Sequence, residues 1–294
     1  MLQSATLVRP EDDELDLFGI THRGNVRPEN QDHFLVSTVH PQVVIHGTSL
    51  PDPDALPLRG TRLATVLVLA DGVGGATDGS IAARLATEAV MRYVASTLRS
   101  YHAAGSDHEN DLLDALKEAA LEAHNAVLAE SSRRKDHPRM ATTLTVCIVV
   151  YPWAYVVQVG DSRAYFFTKG ELRLLTRDQT VAQSLVDQGL MPPERLKLSP
   201  FRNVLSSAIG AEEALPDVTR FDISLRGSLI LMCSDGLTKH VTDAEIADHI
   251  RNMQSSEQCA RDLLTLALER GGSDNITIIA GRAMPLIERT PHPA

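Results

Sequence analysis

The stretch TTLTVCIVVYPWAYVVQVGDSRAYFF, residues 142–167, decides the fold class. Three runs rich in β-branched and aromatic residues, Thr142 to Tyr151, Ala154 to Val159 and Arg163 to Phe167, follow one another with no helical pattern between them, and each reads as a strand. Lys169-Gly170 then reads as a hairpin turn. Towards the N-terminus, strands are expected at Asp16 to Thr21, Phe34 to Val39 and Arg62 to Ala70. Between the third and fourth strands, Ile81, Leu85, Ala89 and Tyr93 recur every four residues, and Leu112, Leu116, Ala120, Ala123 and Val127 repeat at similar spacing, so two amphipathic helices intervene. Asp78 or Ser80 is the expected cap of the first. Towards the C-terminus a buried strand, Ser228 to Cys233, precedes helices near Thr242 to Arg251 and Ser256 to Arg270, and Asn275 to Ala280 closes the pattern. Blocks of strands separated by helix pairs, without strict strand-helix alternation, predict an α+β domain with helices packed on mostly antiparallel sheets.

One domain is the expectation for the 294 residues. The Pro-rich segment 40–60 and the ends, 1–14 and 284–294, are expected on the surface, and 176–215 reads as a mixed stretch. Hydrophobic residues make up 43% and charged residues 22%, which excludes wholesale disorder. The net charge of −10, with no basic run longer than Arg133-Arg134-Lys135, argues against nucleic acid as a partner. Apolar runs of about eight residues are far short of a bilayer span, and the acidic Glu11 to Glu14 follows no secretory pattern, so a cytoplasmic protein without membrane attachment is expected. Cys147, Cys233 and Cys259 are too scattered for a disulfide framework and read as buried thiols.

The acidic balance has a pattern. Asp71, Asp161 and Asp235 end or directly follow apolar runs, and Asp32 and Asp274 stand just before them, so five carboxylates are expected at strand edges. Any one Asp-Gly is explained by turn preference alone. If the strands gather several of these carboxylates, each pair at about 4 Å repels by about 4 kcal/mol at an effective dielectric of 20, and cations would remove that penalty. Oxygen ligands without clustered Cys or His suit Mg²⁺ or Mn²⁺. With two such ions, Arg27 is placed to help receive a phosphate. The run Asp71-Gly72-Val73-Gly74-Gly75 matches neither a phosphate-binding P-loop nor a dinucleotide fingerprint; its glycines would let a backbone carbonyl approach a metal. No GxSxG elbow supports a serine hydrolase.

Six ordered motifs carry a resemblance across nearly the whole chain: Gly24-Asn25-Val26-Arg27-Pro28-Glu29-Asn30-Gln31-Asp32, Ala70 to Gly75, Ala141-Thr142-Thr143, Val159-Gly160-Asp161-Ser162-Arg163, Ser234-Asp235-Gly236-Leu237 and Asp274-Asn275. In this the sequence resembles the metal-dependent protein phosphatases, the type 2C Ser/Thr family, in its bacterial form. The resemblance implies a four-layer α/β/β/α sandwich of two antiparallel sheets flanked by helix pairs, a catalytic domain over 15–283, and a flap-like segment over 176–215. It implies two tightly bound Mn²⁺ or Mg²⁺ ions. Asp71 would bridge them, Asp235 and Asp274 would hold the first, and the Gly72 carbonyl with Asp32 would serve the second. Asp161 would belong to a weaker third site, Arg27 would clamp the substrate phosphate, and Asn30, Thr142, Thr143 and Asn275 would support these groups. The implied reaction is attack of a metal-activated water on phosphoserine or phosphothreonine, and the implied partners are phosphoproteins made by a Ser/Thr kinase, met by a monomeric enzyme. Val73 stands where many relatives have His, and Asp178-Gln179-Thr180 replaces a more familiar Asp-His-Ser.

Two other functions stay open on sequence alone. One is a phosphoprotein-binding or partner-switch module of the same fold, and the other a hydrolase of small phosphate esters.

Overall fold

The computed structural model describes residues 8–42, 44–45, 58–73, 78–104, 109–134 and 140–285. Strands β1 (Leu15–His22), β2 (His33–Val39), β3 (Ala64–Ala70) and the short β4 (Gly72–Val73) come first, followed by helices α1 (Asp78–Ala104) and α2 (Glu109–Arg133). Next are β5 (Ala141–Thr142), β6 (Leu144–Val150), β7 (Trp153–Val159), β8 (Arg163–Thr168), β9 (Glu171–Leu174) and α3 (Val181–Asp187). The chain continues through β10 (Asp217–Asp222), β11 (Leu229–Cys233), α4 (Asp235–Thr238), α5 (Asp243–Arg251), α6 (Ser256–Glu269) and β12 (Ile276–Ala283).

Two five-stranded antiparallel sheets result, ordered β1-β12-β11-β8-β9 and β10-β7-β6-β3-β2, with β4 and β5 paired beside them. Alternation along a strand assigns each residue to a layer. Val66 and Val68 of β3 pack with Val90, Val94 and Leu116 of α1 and α2, whereas Leu67 and Leu69 turn the other way, to the inter-sheet core with Phe166, Ile230, Met232 and Ile279. Leu231, Ile276, Ile278 and Ala280 face Ile246, Leu263 and Ala267 of α5 and α6. Central strands are thus covered on both faces, which is why β3 reads as an apolar run broken only by Thr65, with every residue buried. The expected α/β/β/α sandwich is what forms.

Several local details differ from the sequence reading. The expected strand 142–151 is broken at Thr143, because Thr142 pairs with Gly72 and Ile209 while Leu144 starts β6. Ser80 lies inside the first turn of α1, where its hydroxyl meets His33 Nε2 at 3.1 Å. Strand β9 is the returning strand of the hairpin expected at Lys169-Gly170, whereas β10 has no counterpart in the sequence reading. Both are edge strands with polar, half-exposed residues, so neither carries a clear apolar alternation. The hairpin at Lys169-Gly170 is present, with φ of 52° and 82°. All three cysteines are buried and free, and burial pushes the thiols of Cys147 and Cys233 up to about 12. Most of 40–60 lies outside the described residues, as do 1–7, 286–294, Gly74 and Gly75, whereas Asp12–Glu14 form a short 3-10 turn in which Asp12 pairs with Arg62 and Glu14 with Arg226. Among the described residues no helix is long and apolar enough to cross a membrane.

Candidate metal centre

Antiparallel register brings the acidic residues to one end of the sandwich. His33 pairs with Ala70, so Asp32 and Asp71 flank one strand pair; Cys233 pairs with Ile278 and with Arg163, so Asp235, Asp274 and Asp161 flank the other sheet at the same end. The carboxylates stand where strands begin or stop, because a strand interior would bury them without partners.

Asp32 is 3% exposed. Its Oδ2 accepts hydrogen bonds from Thr277 Oγ1 at 2.6 Å and Ser234 Oγ at 3.0 Å. Thr277 Oγ1 lies 2.7 Å from Thr21 Oγ1, which in turn accepts from Asn30 Nδ2 at 2.8 Å. The relay has one consistent direction, Asn30 to Thr21 to Thr277 to Asp32, since Thr277 gives its single hydroxyl hydrogen to Asp32 and must therefore accept from Thr21, which accepts from the Asn30 NH₂. Asp32 Oδ1 is buried with no hydrogen-bond partner. Burial, with a contribution from repulsion by Asp235, pushes this carboxyl up to about 6 against those hydrogen bonds and a further one with the Asp71 carboxyl.

Asp71 is the electrostatic centre. Burial first, then repulsion from Asp32, Asp235, Asp161 and Asp274, holds its carboxyl well above the usual range. Its backbone is pinned: Thr143 N and Thr142 Oγ1 both donate to the Asp71 carbonyl at 2.8 Å, and Asp71 N donates to Thr143 Oγ1 at 3.0 Å. Gly72 has a reason the sequence did not show. A Cβ there would lie 2.4 Å from the carbonyl carbon of Gly79, so the first turn of α1 can approach β4 only because both residues are glycine.

Asp161 is raised to about 7 by burial, then by Asp235 and Asp178. Its loop is held by the flap-like segment. Asp178 takes a bidentate pair from Arg163 at 2.8 and 2.7 Å, Gln179 Oε1 accepts from Gly160 N at 2.8 Å, and Thr180 caps α3. Asp178-Gln179-Thr180 therefore has structural work at each position.

Asn275 sews the Arg27 loop to β12: its Oδ1 accepts from Gln31 N, and its Nδ2 donates to the carbonyls of Arg23 at 2.9 Å and Glu29 at 2.8 Å. Arg27 Nε and Nη2 donate to Asp274 at 2.6 and 2.9 Å, while 54% of the Arg27 side chain stays exposed. Burial pushes Asp274 up, but the hydrogen bonds from Arg27 and Lys239 outweigh it and hold the carboxyl below its ordinary range. Asp235 goes the other way, raised by burial despite Lys239.

Lys239 was not anticipated. Its Nζ lies 2.6 Å from Asp235 Oδ2 and 2.6 Å from Asp274 Oδ2. The available signal was its spacing of four from Asp235, which places both on one face of a helical turn. Ser234 and Thr277, the donors to Asp32, were likewise not singled out as site residues.

The donor set fits divalent cations. A buried carboxylate oxygen without a donor, next to an aspartate raised by four others, is a site whose charge protein groups leave uncompensated. Among the described residues no group of three or more His, Cys, Asp or Glu side chains is arranged, as it stands, to hold a metal ion; Lys239 stands between two of the carboxylates.

A family model described as Protein phosphatase 2C matches residues 46–269. Serine/threonine protein phosphatase PstP of Mycobacterium tuberculosis is 33% identical over 216 residues, covering 74% of this chain, and the chain spans only 40% of that relative's length. Serine/threonine phosphatase stp of Listeria welshimeri is 27% identical over 260 residues, covering 88% of this chain and 92% of the relative. Among solved structures, the M. tuberculosis phosphatase PstP/Ppp superposes with a TM-score of 0.72 at 28% identity, covering 92% of this chain and 99% of that one. The catalytic domain of PstP in complex with two manganese ions superposes with a TM-score of 0.69 at 27% identity, with the same coverage.

Proposed function

The chain belongs to the protein phosphatase 2C family, and on that premise we propose that it hydrolyses phosphoserine and phosphothreonine in proteins in a metal-dependent reaction. The observation that carries the reading is the gathering of Asp32, Asp71, Asp161, Asp235 and Asp274 at one end of the sandwich, with Asp32 Oδ1 left without a donor. All five carboxylates are present together, which favours turnover over a binding-only role. The catalytic unit is read as residues 15–283.

Asp71, Asp235 and Asp274 would hold one Mn²⁺ or Mg²⁺, Asp71, the Gly72 carbonyl and Asp32 a second, and Asp161 a weaker third. When bound, the ions neutralise the carboxylates, draw the phosphoryl oxygens and lower the pKa of water for in-line attack on phosphorus. The chain's own residues do the positioning. Ser234 and Thr277 fix the rotamer of Asp32, Thr142 and Thr143 fix the backbone of Asp71, and Asn275 fixes the loop that presents Arg27. Arg27 lies half-exposed at the rim with Nε and Nη2 on Asp274, and the remaining Nη1/Nη2 edge of its planar guanidinium suits two oxygens of a phosphoryl group. With Val73 after Asp71-Gly72, no imidazole at that position protonates the leaving alkoxide. The partners are read as phosphoproteins made by a Ser/Thr kinase, met in the cytoplasm by a monomer that uses neither nucleic acid nor membrane.

The test is phosphate release from a phosphothreonine peptide in Mn²⁺, Mg²⁺ or chelator, with Asp235→Asn as control. Metal-dependent turnover that the variant loses by several orders of magnitude is expected, since the change removes a charged ligand at constant size. Wild-type-like turnover by Asp235→Asn would remove Asp235 from the site.

A further inference from the structure

We propose that Lys239 is a tethered counter-cation that competes with the divalent ion for Asp235 and Asp274 and so sets the metal affinity of this chain. The inference rests on the reading above that these two carboxylates hold an ion. Its ammonium lies 2.6 Å from Oδ2 of each. A divalent ion held by the same two oxygens at about 2.0–2.2 Å would stand within about 4 Å of that ammonium, where like charges repel strongly in a partly desolvated site. The two cations exclude each other, so metal entry requires the lysine to swing out.

The placement permits that movement. Lys239 is the residue immediately after the single turn of α4, and 27% of its side chain is already exposed, with a flexible four-carbon stem leading from the rim. Arg27 cannot take over the same role, because it reaches Asp274 but makes no hydrogen bond to Asp235. Among the described residues only Lys239 links the two aspartates. With five carboxylates at this end of the sandwich, the lysine offsets part of their mutual repulsion until metal arrives, at the cost of weaker metal binding.

The experiment compares wild type, Lys239→Met and Lys239→Arg by Mn²⁺ titration calorimetry and by melting in chelator and in saturating Mn²⁺. Lys239→Met is expected to bind Mn²⁺ at least about tenfold more tightly at its strongest site, to melt lower in chelator, and to gain more than wild type when Mn²⁺ is added. Lys239→Arg, which keeps the charge, should stay within a few-fold of wild type in affinity. A Lys239→Met affinity equal to or weaker than wild type would overturn the proposal, as would a lower melting temperature that Mn²⁺ restores only to the wild-type increment. Wild-type protein that binds no Mn²⁺ at all would overturn the metal reading itself, a result distinct from binding that is indifferent to Lys239. Should Lys239→Met not fold, Lys239→Gln takes its place with the same expectations.

Discussion

Asp32→Asn should stabilise the metal-stripped protein while weakening its hold on metal. Asp32 is 3% exposed, with one oxygen served by Ser234 and Thr277 and the other without a donor. Folding moves its carboxyl from 3.8 to about 6. For an acid raised in this way the folded state binds the proton more tightly than the unfolded state. Its contribution is therefore neutral below about pH 4, and stability is lost as pH rises through about 6. At about 1.4 kcal/mol per pH unit, the loss at pH 8 is about 3 kcal/mol as an upper bound. Asparagine mimics the protonated carboxyl at every pH: its oxygen keeps both hydroxyl donors and its NH₂ replaces the oxygen that had none. In a chain of this size the difference corresponds to about 5 °C in melting temperature. The assay is thermal or urea unfolding in chelator from pH 4 to pH 8. The variant should match wild type near pH 4, exceed it increasingly between about pH 4 and pH 6 and hold a level margin from about pH 7 to pH 8, and saturating Mn²⁺ should reverse the order because only wild type keeps the full ligand charge. A variant less stable than wild type at pH 8 in chelator, or a difference that does not change with pH, would refute the reasoning.

Two further outcomes follow from the same geometry. Arg27→Ala should raise KM for a phosphopeptide by about tenfold or more, the usual worth of a charge-assisted bidentate contact, and Arg27→Lys should recover little of it because an ammonium lacks the fork; an unchanged KM in steady-state kinetics would move the phosphate contact elsewhere. Gly236→Ala would set a Cβ 1.9 Å from the Asn275 carbonyl oxygen, so the α4 turn must move away from β12. A loss of at least about 2 kcal/mol in urea unfolding is expected, together with weaker Mn²⁺ binding as Asp235 separates from Asp274; native stability in the variant would contradict the tight approach.

Much of this protein is written locally. The apolar runs of β3, β6, β7 and β11 and the four-residue repeats of α1 and α2 are legible because a strand or helix with a buried face must carry that face in its own sequence. The carboxylates were legible for a related reason, since each interrupts or borders an apolar run and so marks the end of a strand. Edge strand β10 was not, because half-exposed residues impose little pattern. Tertiary structure alone decided which strand ends meet. The pairing of β2 with β3, and of β11 with β12, places Asp32, Asp71, Asp235 and Asp274 at one end of the sandwich, although they are separated by up to hundreds of residues along the chain. It alone supplied the Asn30–Thr21–Thr277 relay behind Asp32, which joins β1 to β12. It alone placed the Lys239 ammonium between two aspartates, since the identity of a charge's partner depends on distance in space, and sequence fixes that distance only within a turn of helix.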